Sequence, residues 1–244
     1  LLLRWYAAGH RDLPWRQDRE PYHIWLSEIM LQQTRVEAVR GYYARFLAEL
    51  PDIAALAACE ERRLTKLWEG LGYYSRVRNL QKAAQVIVSQ HGGVFPADYA
   101  AIRALPGVGD YTAGAVASIC FDRPTPAVDG NVLRVLARVT EDPSPVTKQS
   151  VKKSYERLLR PVYEENPGSR GELTQALMEL GACVCVPNGA PKCALCPLQG
   201  FCRAKMNGSW ASLPVKEAKK PRRQEQLTVF FLSCGSRYAV RRRP

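Results

Sequence analysis

Residues 105–121 read LPGVGDYTAGAVASICF, a tight glycine-bearing turn that feeds directly into a helical stretch of small and apolar residues. Free backbone N–H groups and the positive end of the dipole gather at such a helix start, which suits a phosphate. The stretch has the form of a helix-hairpin-helix phosphate clamp. An ordinary turn between two helices has much the same composition, so the surroundings must choose between the readings.

Those surroundings are helical. From Pro21 to about Gly181, apolar positions recur three and four apart, with turn signals at Pro51, at Gly92-Gly93 and from Pro124 to Pro126, and no convincing strand. Thr34 with Glu37 has capping-box form, and Val36, Val39, Tyr43, Phe46, Leu47 and Leu50 then share one face. Ser169 with Glu172 repeats the signature before Leu173, Ala176, Leu177 and Leu180. Trp68, Leu71 and Val86-Ile87-Val88 read as core, because large apolar residues at helical spacing usually just pack.

The chain has 244 residues, 46% hydrophobic and 24% charged, enough for one large domain or two smaller ones. Lys and Arg outnumber Asp and Glu by 35 to 23, giving a net charge of +12, and a pI near 9.5 favours a polyanionic partner. No apolar run reaches membrane-spanning length, and the opening LLLRWYAAGH lacks a signal-peptide pattern. A soluble, intracellular protein with no membrane association is expected.

Five of the eight cysteines crowd between Cys183 and Cys202, which points to metal ligation rather than a disulfide framework. Cys185, Cys193, Cys196 and Cys202 are separated by seven, two and five residues, and four thiolates so spaced can enclose an iron-sulfur cluster or a tetrahedral zinc. Glu28 lies in a largely apolar helical stretch and Asp129 at a helix start. Two carboxylates in unlike surroundings can divide acid and counter-ion roles. A solvated helix face for Glu28 and an N-cap for Asp129 are the plainer alternatives.

WLSEIMLQQT (25–34), GLGYYSRVRNLQKAA (70–84), LPGVGDYTAGA (105–115), VDGNVLRVLAR (128–138) and the cysteine cluster occur in this order. Together they resemble the MutY adenine DNA glycosylases of the endonuclease III superfamily, over essentially Trp5 to Arg203. The resemblance implies an all-α fold of two subdomains. Residues 21–129 would form a six-helix bundle containing the hairpin, and residues 1–20 with 130–213 a subdomain carrying a 4Fe-4S cluster on Cys185, Cys193, Cys196 and Cys202. The loop between Cys185 and Cys193 is one residue longer than that family's usual spacing. Taking Cys183 instead would lengthen it further, whereas a bulged turn in VPNGAPK absorbs one residue.

The implied activity is hydrolytic excision of adenine mispaired with 8-oxoguanine or guanine in double-stranded DNA, by a monomer. Such an enzyme must rotate the target nucleotide out of the stack. Gln33 and Tyr73 would be the wedge, and Leu105, Gly107 and Gly109 would hold DNA at the hairpin. Glu28 would protonate adenine and Asp129 stabilise the sugar cation. Tyr111 and Asn131 would line the pocket, and Trp15, Arg16 and Glu179 would contact the flipped base. A bifunctional glycosylase-lyase would need a lysine where Tyr111 stands. A non-catalytic iron-sulfur DNA-binding module would have no need of Glu28 and Asp129. Residues 214–226 (PVKEAKKPRRQEQ) read as a linker. LTVFFLSCGSRYAVRRRP (227–244) reads as two strands about a Gly-Ser turn, resembling the truncated start of a Nudix-like 8-oxoguanine-recognition domain. Two strands bury too little area to fold alone, so this segment is expected to be disordered or loosely docked.

Overall fold

Helix succeeds helix because the apolar periodicity is helical and the glycines and prolines fall between its runs. The computed structural model describes residues 1–218, 224–226, 228 and 230–239. Among them the α-helices are α1 (Leu2–Gly9), α2 (Pro21–Met30), α3 (Val36–Glu49), α4 (Ile53–Ala58), α5 (Glu61–Leu67), α6 (Ser75–His91), α7 (Tyr99–Ala104), α8 (Asp110–Phe121), α9 (Gly130–Thr140), α10 (Gln149–Glu164), α11 (Arg170–Cys183) and α12 (Arg203–Met206). Gly92 ends α6 in the left-handed conformation, and Gly93 N–H returns to the Ile87 carbonyl.

Side chains partition into two main cores. One holds Leu13 and Trp15 together with apolar residues of α2 to α8, through Ala127. The other runs from Val128 through Tyr155 and Tyr163 to Leu177, with Leu2 and Leu3 packed against it. Helix α11 packs on α1, α8 and α9, and α2 packs on α8. These contacts close the two cores against each other, and the site described below lies along that seam.

Several local expectations change. Thr34 does not cap α3: the helix starts at Val36 after Arg35, and the Thr34 hydroxyl donates to the Gln32 carbonyl instead. Ser169 does precede α11, but its side chain makes no capping bond, and Glu172 pairs with Arg19. Trp68 and Ile87 are fully buried, whereas Val88 is 42% exposed, one position off the buried stripe.

The start of the proposed linker is docked rather than free. Val146 N–H donates to the Val215 carbonyl, and Lys148 pairs with Glu217. Of the C-terminal strands, Ser233–Cys234 (β1) and Arg237–Tyr238 (β2) form an antiparallel hairpin about Gly235. Its described residues are exposed. Residues 219–223, Leu227, Val229 and 240–244, which belong to the linker and hairpin expectations, lie outside the described residues.

Candidate active site

Helix α2 is buried nearly all round, from Tyr22 to Met30, because it lies between α3 and α8. That burial carries Glu28 with it. Its side chain is 7% exposed and accepts a 2.6 Å hydrogen bond from the Tyr111 hydroxyl, on the first turn of α8. Burial is the largest influence on this carboxyl and pushes its pKa up to about 7; the Tyr111 bond opposes the shift and the neighbouring Asp129 adds to it. The solvated-face reading of Glu28 is therefore ruled out.

Asp129 is the N-cap of α9 and also faces Glu28. One carboxylate oxygen accepts from Val132 N–H, the other from the Asn131 amide, each at 2.8 Å. Burial raises its pKa, and these two bonds with nearby Arg134 only partly oppose the rise. The capping and functional readings of Asp129 are compatible, because a helix N-terminus favours a carboxylate that stays charged.

Glu28, Tyr111, Asp129, Asn131, Trp15, Arg16 and Gln33 line one cavity of about 340 Å³. Glu179 lies behind it, 2% exposed. It is gripped by Arg11 through Nε, Nη2 and the backbone N–H, and by Arg16 through Nη2. Burial would raise its pKa, but the Arg11 and Arg16 hydrogen bonds and charge win and hold it at about 2. This glutamate fixes Arg16 at the cavity wall. Since its pKa is depressed, the stabilisation is complete above the ordinary carboxylate range and is lost as pH falls from there towards 2. Glu179→Gln is expected to destabilise the protein by about 3 kcal/mol at neutral pH, as measured by urea denaturation, because it strands two guanidiniums.

Tyr73 is not at this cavity. It is 63% exposed on the loop before α6, and both it and Gln33 have left-handed backbones, with φ of 47° and 58°. Leu105 is 3% exposed and packs in the core, its N–H and C=O already paired with Ile102 and Val108. Among the described residues, the Gly107 and Gly109 N–H groups donate to no backbone carbonyl. Gly107 has φ of +75°, and a Cβ there would stand 2.6 Å from Asn79 Cβ, whereas a Cβ on Gly109 would meet nothing. Gly107→Ala is expected to cost about 1–3 kcal/mol and to weaken duplex binding, while Gly109→Ala should leave thermal stability nearly unchanged. Thermal melts and a binding titration check both.

Cys185, Cys193, Cys196 and Cys202 line a second, apolar pocket, and no cysteine is in a disulfide. Cys183 lies apart, its thiol directed at Glu179. The longer loop closes through Lys192 N–H to the Val184 carbonyl, with Gly189 at φ +74°. Burial raises the Cys196 and Cys202 thiol pKa values, and the nearby Cys185 and Cys193 add to the shift. Arg138 Nη1 is 3.3 Å from Cys185 Sγ. Four soft sulfur donors in an apolar pocket beside a guanidinium fit an anionic thiolate-ligated centre. Among the described residues, no group of three or more His, Cys, Asp or Glu is arranged so that it could hold a metal ion.

Sequence reasoning missed four arginines that hold this arrangement together: Arg11, Arg76, Arg134 and Arg138. Arg134 donates to Asn131 Oδ1 and to the Gly181 and Cys185 carbonyls, and Arg138 to the Val186, Trp210 and Leu213 carbonyls. Their signal was two arginines four apart on a helix whose neighbours are apolar. Glu179 within ALMELGA likewise demanded a cation, which Arg11 supplies.

Residues 26–161 match the family described as HhH-GPD superfamily base excision DNA repair protein. The chain is 43% identical over 93% of its length to the adenine DNA glycosylase of Mus musculus, of which it covers 47%. It is 36% identical over 90% of its length to that of Buchnera aphidicola subsp. Acyrthosiphon pisum, of which it covers 62%. It thus spans only about half to three-fifths of the length of these relatives. Among solved structures, a thermostable thymine-DNA glycosylase superposes with a TM-score of 0.71 at 27% identity, covering 84% of this chain and 94% of that one. An endonuclease III in complex with DNA shares the fold, with a TM-score of 0.68 at 24% identity, 85% of this chain and 92% of that one being covered. A helical fold with a glycine hairpin before α8 and a carboxylate at the start of α9, matched over more than half its length, makes this chain a member of the HhH-GPD superfamily of base excision DNA repair proteins.

Proposed function

We propose that this chain is a monofunctional adenine DNA glycosylase. It would flip adenine out of a mispair with 8-oxoguanine or guanine in double-stranded DNA and hydrolyse its N-glycosidic bond. The observation that carries this reading is Glu28, a nearly buried carboxyl with its pKa raised to about 7, facing Asp129 across a ligand-sized cavity. A general acid needs a proton at working pH, and burial supplies one. Glu28 protonates the departing adenine at N7 and then helps to activate water. Asp129 stabilises the positive charge that grows on the sugar. The relatives named adenine DNA glycosylases support the choice of base.

Tyr111 occupies the position where a lyase would carry its lysine, and its hydroxyl is committed to Glu28. No Schiff base with the sugar is expected. Gln33 and Tyr73 form the wedge, and the N–H groups of Gly107 and Gly109 hold a backbone phosphate. Trp15, Arg16 and, through Arg16, Glu179 shape the adenine pocket. We assign a 4Fe-4S cluster to Cys185, Cys193, Cys196 and Cys202. When bound it supplies a structural centre and helps to dock DNA, hydrolysis needing no redox step. Anaerobically purified protein is expected to contain iron and acid-labile sulfide; zinc without iron would refute the assignment.

The protein would act inside the cell as a monomer, with two subdomains meeting at the cavity. Among the described residues no helix is long and apolar enough to cross a membrane. Incubating excess protein with duplexes carrying adenine opposite 8-oxoguanine, guanine or thymine, with and without borohydride, tests the reading. Free adenine from the first two, without a trapped adduct, is expected. A covalent DNA adduct, or no adenine from any duplex that binds, would overturn it.

A further inference from the structure

Arg76 stands in the first turn of α6, where the helix dipole disfavours a cation. The rest of its environment explains why it is there. Nη1 donates to the carbonyls of Ile29, Met30 and Gln32, and Nη2 to those of Leu71 and Gly72, at 2.5 to 3.3 Å. Ile29 and Met30 supply last-turn carbonyls of α2, which ends without a glycine cap, so a cation here satisfies acceptors that the helix leaves open. The guanidinium carbon also lies 5.4 Å from the Trp68 ring centre and 5.7 Å from that of Tyr73.

The carbonyls it binds belong to two segments far apart in sequence. Gln32 directly precedes Gln33, and Gly72 directly precedes Tyr73. Both following residues hold left-handed backbones that cost energy for a side chain of their size, and such conformations persist only when their surroundings impose them. Among the described residues, Arg76 is the one whose side-chain hydrogen bonds reach both segments. Trp68 Nε1 adds a bond to the Gly72 carbonyl on one side only. Arg76 also lines a cavity of about 90 Å³ with Trp25, Gln32, Asn79 and Gly107, so the brace adjoins the hairpin as well.

We propose that Arg76 is a positioning residue. Its single guanidinium locks the Gln33 and Tyr73 loops to each other, and so sets the geometry with which both side chains enter the DNA stack during base flipping. The proposal rests on the wedge reading of those two residues. The planar fork matters: a lysine carries the charge but cannot span five carbonyls.

The test is a cycle of Arg76→Lys with the Gln33→Ala/Tyr73→Ala pair, each protein checked for folding by its melting curve. Flipping is read by 2-aminopurine fluorescence at the target position, and excision by single-turnover adenine release. Binding to a duplex with a stable abasic analogue serves as a control that needs no base to be extruded. In the parent, Arg76→Lys is expected to lower flipping and to slow excision on the order of 100-fold, with abasic-site binding nearly retained. In the double-alanine background it is expected to add little, because the groups it positions are gone. Equal losses in both backgrounds, or parental flipping by a folded Arg76→Lys protein, would overturn the proposal. If the double-alanine protein itself flips like the parent, the wedge reading fails and takes the proposal with it. Because flipping is read without chemistry, these outcomes are separable from a failure of adenine excision.

Discussion

Glu28→Gln is expected to slow single-turnover adenine release by about 100- to 10,000-fold while leaving duplex affinity close to that of the parent. The amide can still accept the Tyr111 hydrogen bond, and it contacts no phosphate in the arrangement proposed, so only the transferable proton is lost. The same substitution should make the protein more stable. Glu28 titrates near 4.5 in an unfolded chain and near 7 in this fold. A group whose pKa is raised by folding favours the native state while it is protonated and loses that advantage as pH climbs through the interval. Parental stability should therefore fall by up to about 3 kcal/mol between those two pH values from this residue alone, and Glu28→Gln should escape the loss. Denaturant titrations of both proteins at acid and neutral pH read the difference. A variant equally sensitive to pH would show that Glu28 is not the buried acid.

Asp129→Asn is expected to slow release by about 100- to 1,000-fold, because the developing sugar cation loses its counter-charge. Its effect on stability should be small, since Asn caps a helix nearly as well as Asp and the Val132 N–H keeps an acceptor. Asp129→Ala should lose both the rate and the cap. Comparing the melting temperatures of the Asn and Ala variants at equal activity loss separates the two duties of this side chain.

The helices and the hairpin were legible in the sequence because apolar spacing, glycine and proline act locally. The stripe Val39, Tyr43, Phe46 and Leu50 is buried as the spacing required. Thr34 misled because a capping box is a pattern of residue types, and here the chain turns at Arg35 before its helix begins. At the site, residue types alone left Glu28 and Asp129 open, and it was resemblance to a family's motifs that singled out Glu28, Asp129, Tyr111 and Asn131; the fold brings all four to one cavity. The bracing arginines were not legible. Arg11 meets Glu179 across 168 positions, and Arg76 reaches back 44 to 47 positions to the end of α2. Such bonds follow from tertiary packing, and only the cost of leaving a buried charge or carbonyl unpaired hints at them in a sequence.

The most direct test of buried-acid catalysis is the pH profile of single-turnover adenine release from a duplex carrying adenine opposite 8-oxoguanine, measured with protein in excess. The expected rate declines as pH rises through about 7, the value to which burial raises the Glu28 carboxyl, with the residual rate of Glu28→Gln showing no such decline, and it falls again at acid pH as Asp129, whose pKa burial also raises, becomes protonated. A rate that climbs with pH through that interval, or a duplex that is bound and yields no adenine at any pH, would contradict it.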